Sequence, residues 1–284
     1  MASYRSIIGL VAIADHFDVF YIDQFGVLHD GVRPYSGAIE CLAKLKKLDK
    51  QVVLLSNSGK RAAANIARLA ELGFVRDLFD HVVTSGEVAW KGIYDGEFGQ
   101  PFLGGKKMFL VGHEGYDYGF ERIGIGQASD AVDSDFVMIA ASRAPELALE
   151  EYGELLASAA AAGVPALCCN PDRLMLTTEG LQPSAGEIAA LYERLGGKVI
   201  FVGKPYGAMY SFAKRQIHGS EALRSIAIGD SIEHDIAGGR KAGLATALVL
   251  TGLSLGLTDR AVRERVAFHD AVPDFVMPGM AWTG

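Results

Sequence analysis

The chain has 284 residues, 50% of them apolar and 21% charged, a composition that folds and excludes a disordered chain. Lys and Arg total 27 against 34 Asp and Glu, for a net charge of −7. That excludes the broad basic footprint of a nucleic-acid-binding protein but leaves room for a local phosphate site. Three cysteines, Cys41, Cys168 and Cys169, are too few and too badly spaced for a disulfide framework or a zinc site, and the adjacent pair reads as reduced core residues. The N-terminal apolar patch soon meets Asp15, His16 and Asp18, so no secretory signal is expected. The longest apolar stretch, Leu155 to Cys169, is broken by Gly163 and Pro165. No membrane span is expected, and the cytoplasm is the default location.

In chain order, the first predicted strand is Val19 to Ile22, ending at Asp23. Ser36 is placed to cap a helix through Leu48, with Ile39, Leu42 and Leu45 on one stripe. Val52 to Leu55 is a short continuous apolar run, as a strand buried on both faces requires. A helix to about Leu72 follows, with Gly73 where a C-terminal cap belongs, and then a short strand at Val82 and Val83. Met108 to Val111, Phe136 to Ala140 and Pro165 to Cys168 read as strands, with a helix from about Glu146 to Ala162. Val199 to Val202 reads as a strand and Tyr206 to Ile217 as a helix. Ser225 to Ile228 is a strand ending in Gly229-Asp230, followed by a helix to Lys241, a strand at Ala245 to Leu250 and a short last strand at Phe275 and Val276. The alternation predicts an α/β fold, a Rossmann-like parallel-sheet core of residues 1–84 and 184–284 with a second α/β unit inserted at 85–183.

Ligands of open α/β sheets sit beyond the carboxyl ends of the strands. Those ends carry Asp23-Gln24-Phe25-Gly26, Ser56-Asn57-Ser58, Gly203-Lys204-Pro205 and Gly229-Asp230, with Asp235 further on. A carboxylate, a hydroxyl with an amide, an ammonium and an acidic pair suit a phosphoryl group and a divalent metal. Hard oxygen donors favour Mg²⁺, a lysine and a hydroxyl hold phosphoryl oxygens, and a carboxylate beside them can act as nucleophile. Each segment also has a structural reading: Asp23 as a turn residue, Ser56 or Asn57 as a helix cap, Gly203-Lys204-Pro205 as a strand-to-helix turn, and Asp230 with Glu233 as a capping box.

The four segments, in this order, resemble the haloacid dehalogenase superfamily, and the insert between the second and third is where its class IIA branch, which contains nitrophenyl- and sugar-phosphate phosphatases, carries its cap. Thr84-Ser85-Gly86, Asn170-Pro171-Asp172 and Gly186-Glu187-Ile188-Ala189 before Gly203-Lys204-Pro205 are further similarities. The resemblance implies Asp23 as nucleophile, Ser56 and Lys204 as catalytic phosphoryl-binding groups with Asn57 beside them, and a Mg²⁺ ion held by Asp23, the Phe25 backbone carbonyl and Asp230. Asp235 would act through a water or from behind. It implies 85–183 as the cap that selects the substrate, a small phosphorylated metabolite, and an aspartyl-phosphate intermediate.

One residue departs from the pattern. The family's phosphatases carry an Asp two residues after the nucleophile as general acid and base, and here that position is Phe25. Losing such a group typically costs 10²–10⁴-fold in rate. Such an enzyme would rely on good leaving groups or take a proton from elsewhere, with His29 as one candidate and a hairpin turn as the alternative role of that residue. Lys60 and Arg61 are read either as phosphate contacts or as a solvated first turn, and His234 as a helix-surface residue. Asn170, Asp172, Arg173, Glu114 and Tyr116 are polar candidates in the insert, the first three equally a turn. The leading expectation is a Mg²⁺-dependent phosphate monoester hydrolase. The alternatives are a catalytically weakened phosphate-ligand binding protein and, more distantly, a metal-independent haloacid dehalogenase. No nucleic-acid or membrane partner is expected, and a homodimer is the base-rate expectation for a soluble enzyme.

Overall fold

The computed structural model describes residues 4–177, 179–217, 219 and 222–283. The chain forms two compact units: Met1–Ser56, Ala63–Val83 and Lys204–Gly284 in one, Asn57–Ala62 and Thr84–Gly203 in the other. Among the described residues no helix is long and apolar enough to cross a membrane, and all three cysteines are free and buried.

The first unit holds β1 (Arg5–Ser6), β2 (Val19–Asp23), β3 (Gln51–Ser56), β4 (His81–Thr84), β12 (Ser225–Gly229), β13 (Ala245–Val249) and β14 (Phe275–Met277). They lie in the order β1-β14-β13-β12-β2-β3-β4. β2 pairs in parallel with β12 on one side, Ile22 against Ile228, and with β3 on the other, Asp23 against Leu55. Every β2 residue is buried, which is why this strand reads as a continuous apolar run rather than an alternating one. From the β2–β12 pair, sequence order runs outward through β3 and β4 on one side and through β13 and β14 on the other, with β1 added at that edge, so the sheet's topological switch point falls between Asp23 and Gly229.

Helices α1 (Ala38–Lys47), α2 (Ala62–Glu71), α6 (Gly207–Arg215), α7 (Ala237–Lys241) and α8 (Asp259–His269) connect or follow these strands. α1 buries Ala38, Cys41, Leu42 and Leu45, and its N-cap is Gly37 in the left-handed region rather than the predicted Ser36. The predicted continuous helix to Lys241 begins instead as a π-helical turn, Ile232–Ile236, with Ser231 as its N-cap in place of an Asp230–Glu233 box. Asp230 and Asp235 are held by other partners, described below, and the Ser231 hydroxyl takes the His234 N–H.

The second unit contains a parallel sheet of β5 (Lys107–Val111), β6 (Gly126–Gln127), β7 (Phe136–Ile139), β8 (Ala166–Cys168) and β11 (Val199–Phe201), ordered β11-β8-β7-β5-β6. An antiparallel hairpin of β9 (Leu174–Thr177) and β10 (Gly180–Pro183) stands apart from it. Val137, Ile139, Leu156, Ala166, Ile188 and Tyr192 are among its core, drawn from β7, β8, α4 (Leu149–Ala161) and α5 (Ala185–Arg194); α3 (Ser85–Tyr94) opens the unit with Thr84 as its N-cap. The observed boundary differs from the expected 85–183 insert: α5 and β11 lie in this unit, because Val199 to Phe201 pairs with Ala166 to Cys168.

α7 meets the first sheet through glycine. A Cβ at Gly239 would fall 2.8 Å from Ala227 Cβ and 2.9 Å from Thr246 Cγ2, side chains rooted on β12 and β13. Helix propensity alone makes Gly→Ala stabilising by about 1 kcal/mol. Overpacking here outweighs it, so Gly239→Ala is expected to lower stability by about 1–3 kcal/mol, read as a downward shift of the denaturant midpoint; a rise would show that α7 can move off the sheet at no cost.

Candidate active site

Four charged groups converge at the switch point of the first unit. Asp23 ends β2, Asp230 follows β12, Asp235 lies in the π-helical turn, and Lys204 precedes α6. Lys204 Nζ donates to Asp23 Oδ1 at 2.6 Å and to Asp235 Oδ1 at 2.7 Å. Asp235 Oδ2 accepts the Ser231 N–H at 3.1 Å, so both of its oxygens are bound by protein donors. Asp230 Oδ2 accepts the Leu253 N–H at 2.6 Å, and the Asp230 carbonyl accepts the Ser254 hydroxyl at 2.7 Å. All four charged residues are buried. Among the described residues no donor is bonded to Asp23 Oδ2, which leaves that oxygen for chemistry.

The electrostatics follow from burial and from an excess of negative charge, three carboxylates against one ammonium. Burial pushes the Asp23 pKa well above the usual carboxylate range; Lys204 opposes that shift, while Asp235 and Asp230 add to it. Burial, then repulsion from Asp235, raises Asp230 to about 7 against the Leu253 amide and Lys204. Burial works against the Lys204 ammonium, but Asp23 and Asp235 outweigh it and hold its pKa well above the ordinary value. A cluster strained in this sense fits a divalent cation. One oxygen from each of Asp23, Asp230 and Asp235 lies within 4.8 Å of the others, and a hard oxygen set with unbalanced negative charge is what Mg²⁺ takes. Gly26 (φ +87°) and Gly252 (φ +51°) both press on Asp230, where a Cβ at either would run into Oδ2.

Ser56 ends β3 one residue beyond Leu55, the register partner of Asp23, and so shares the strand-end row with the nucleophile candidate. Asn57 belongs to the second unit, where its Nδ2 donates to Asp172 Oδ1 at 2.8 Å. Phe25 is 55% exposed to solvent. It stands edge-on to His29, ring centroids 5.9 Å apart, and the Gly26 amide donates to the His29 carbonyl at 2.9 Å. His29 Nδ1 accepts the Gly31 N–H at 3.1 Å; burial, then the Arg68 charge, lowers its pKa. These features make it the turn residue of the two roles open to it. Asp30 Oδ1 completes the turn by accepting the Val32 and Arg33 amides.

The remaining candidates have structural partners. In the second unit Arg61 pairs with Glu87 at 2.8 Å and lies 4.0 Å from the Trp90 ring centroid, and Lys60 sits over the Tyr116 ring. Glu114 pairs with Arg143 and Arg173 with Glu187. Asn170 Oδ1 accepts the Asp172 amide, the turn expected of Asn-Pro. His234 lies beside the Ser231 hydroxyl. The sequence reading passed over Thr251 to Ser254, which follows β13 and supplies two of the groups that fix Asp230, while Thr251 Oγ1 donates to the Gly26 carbonyl at 2.6 Å. Its position after a strand next to β12 was the available signal. Buried Tyr210, whose hydroxyl donates to the Asp235 carbonyl at 3.4 Å, was missed as well.

Comparison with known proteins identifies the family. A profile of haloacid dehalogenase-like hydrolases matches residues 20–126, and a second HAD-hydrolase-like profile matches 201–281. The chain is 30% identical over 234 residues to the sugar-phosphatase AraL of Bacillus subtilis, covering 81% of this chain and 82% of that protein. It is 28% identical over 271 residues to chronophin of Rattus norvegicus, covering 91% and 84%. Among solved structures, the glycerol phosphate phosphatase of Mycobacterium tuberculosis in complex with magnesium superposes with a TM-score of 0.68 at 28% identity, over 85% of this chain and 70% of that one. With its parallel core sheet and carboxylate cluster, the chain belongs to the haloacid dehalogenase-like hydrolases, in their class IIA branch, and is a hydrolase of that superfamily.

Proposed function

We propose that the protein is a Mg²⁺-dependent hydrolase of a small organic phosphate monoester, with Asp23 as its nucleophile and the second unit as the cap that selects the substrate. The observation that carries the reading is the buried Asp23–Lys204–Asp235 array with Asp230 beside it at the sheet's switch point. The phosphatase names of its relatives support it. Asp23, Asp230 and the Phe25 carbonyl would hold the cation, with Asp235 behind. A bound Mg²⁺ would neutralise charge on the phosphoryl oxygens.

Lys204 fixes Asp23 Oδ1, which leaves Oδ2 to form the bond to phosphorus as the ester bond breaks and its electron pair departs on the leaving oxygen. Ser56, Asn57 and Lys204 would hold the transferring group, and water then releases inorganic phosphate and regenerates the Asp23 carboxylate. The exposed Phe25 ring supports a second reading, a phosphate-ligand binding protein with weakened turnover. A metal-independent haloacid dehalogenase is disfavoured by a three-carboxylate cluster of this kind.

Asp23→Asn is expected to lower Mg²⁺-dependent phosphate release from nitrophenyl phosphate by at least about 10³-fold with unchanged circular dichroism; equal turnover would remove Asp23 from the nucleophile role. The metal-free protein carries a second signature. A carboxyl whose folded pKa exceeds its unfolded value stabilises the fold while protonated, so Asp230 contributes below its ordinary 3.8 and that contribution is lost as pH rises to about 7. Stability in EDTA should therefore fall across this window, by at most about 4 kcal/mol from Asp230. Mg²⁺ should restore stability at neutral pH, and Asp230→Asn should make the fall shallower, with Asp23 supplying what remains. A metal-free profile that rises from pH 4 to 7 in both proteins would contradict this.

A further inference from the structure

The residue two positions after Asp23 has no ionisable atom. Phe25 can neither protonate a departing alkoxide nor take a proton from water, and its neighbours do not make up for it. His29, packed edge-on to the ring, is buried, and Nδ1 is occupied as acceptor of the Gly31 amide. With that nitrogen unprotonated the ring is the neutral imidazole, and its remaining N–H is a very weak acid. Phe74 lies against it at 6.5 Å between ring centroids. Asp30 is committed to the Val32 and Arg33 amides as an acceptor, and Asp230 belongs to the carboxylate cluster. The Phe25 side chain itself is apolar, and the residue is 55% exposed.

Resting on the Asp23 hydrolase reading, we infer that the enzyme acts on phosphates whose leaving group departs as its own anion, namely aryl, enol or acyl phosphates, and that its Asp23 acyl phosphate is hydrolysed slowly enough to accumulate during turnover. In the first step the Asp23 oxygen–phosphorus bond forms, the bond to the leaving oxygen breaks, and the electron pair leaves on that oxygen with no proton transferred. In the second step a water oxygen bonds to phosphorus and the bond to Asp23 breaks. The pair returns to the carboxylate, and a water proton ends on the released phosphate. Leaving-group acidity relieves only the first step of its need for an acid. The second still lacks a base, so it becomes the slow one.

The test uses the full chain with Mg²⁺. Rapid mixing with 4-nitrophenyl phosphate should give a burst of nitrophenolate approaching one per chain, then a slower steady phase. Across aryl phosphates of rising leaving-group pKa, kcat/KM should fall steeply, with alkyl phosphates at least about 10²-fold below the nitrophenyl ester. Phe25→Asp should raise alkyl-ester turnover by about 10²–10⁴-fold and abolish the burst. Wild-type turnover of alkyl esters at the nitrophenyl rate without a burst, still lost in Asp23→Asn, would overturn this inference and leave the hydrolase reading standing. No Asp23-dependent release from any ester would overturn both.

Discussion

A single buried ammonium holds the centre of the first unit together. Lys204 lies between Asp23 and Asp235, 2.6 Å and 2.7 Å from their oxygens, in a region from which water is nearly excluded. Breaking such a contact from one side leaves a buried charge without its partner, which typically costs 3–5 kcal/mol. The same contact fixes one oxygen of Asp23 and, among the described residues, leaves the other without a donor. Burial, with repulsion among the carboxylates added to it, lifts Asp23 and Asp230 above their ordinary pKa values, and one ammonium against three carboxylates suits the cluster to a cation.

The sheet makes this convergence inexpensive in backbone terms. Because β2 and β12 are parallel neighbours and the chain leaves them in opposite directions, their carboxyl ends open into one crevice. Asp23 and Asp230 need no unusual reach to meet there. The finer positions come from elsewhere: the loop after β13 bonds Asp230 through an amide and a hydroxyl, and the π-helical turn brings the Asp235 carboxylate back to the Ser231 amide. Glycines at 26 and 252 leave room for the Asp230 carboxylate between two backbone segments.

Phe25 places an aromatic side chain two residues after Asp23. Its backbone is still part of the loop that follows Asp23, where the Gly26 amide and the His29 carbonyl hold the turn. Its side chain packs edge-on to the His29 ring. His29 supports the ring and the turn; its buried, accepting Nδ1 gives it a structural role.

Several features were legible in the residues alone because they depend on local chemistry. Strands buried on both faces show as unbroken apolar runs, so β2, β3, β12 and β13 stood out, and the polar residues ending them marked Asp23, Ser56 and Asp230. Cysteines in apolar runs announced a buried, unlinked state. Other features depend on which segments meet, and hydrophobic periodicity is silent on that. Val199 to Phe201 reads as a strand, but only pairing with β8 assigns it to the second sheet. Ser36 and Asp230 have the right side chains for helix caps, but the chain's path gives those roles to Gly37 and Ser231. Thr251 to Ser254 carries no motif, and its importance comes from the adjacency of β13 to β12. The residues alone specify the parallel α/β architecture, the charged residues at its strand ends and a phenylalanine two positions after Asp23. Only the tertiary structure decided that Lys204 bridges Asp23 and Asp235 and that His29 is sealed into a turn, because both depend on groups far apart in sequence, or on a loop's own bend, being brought within hydrogen-bond distance.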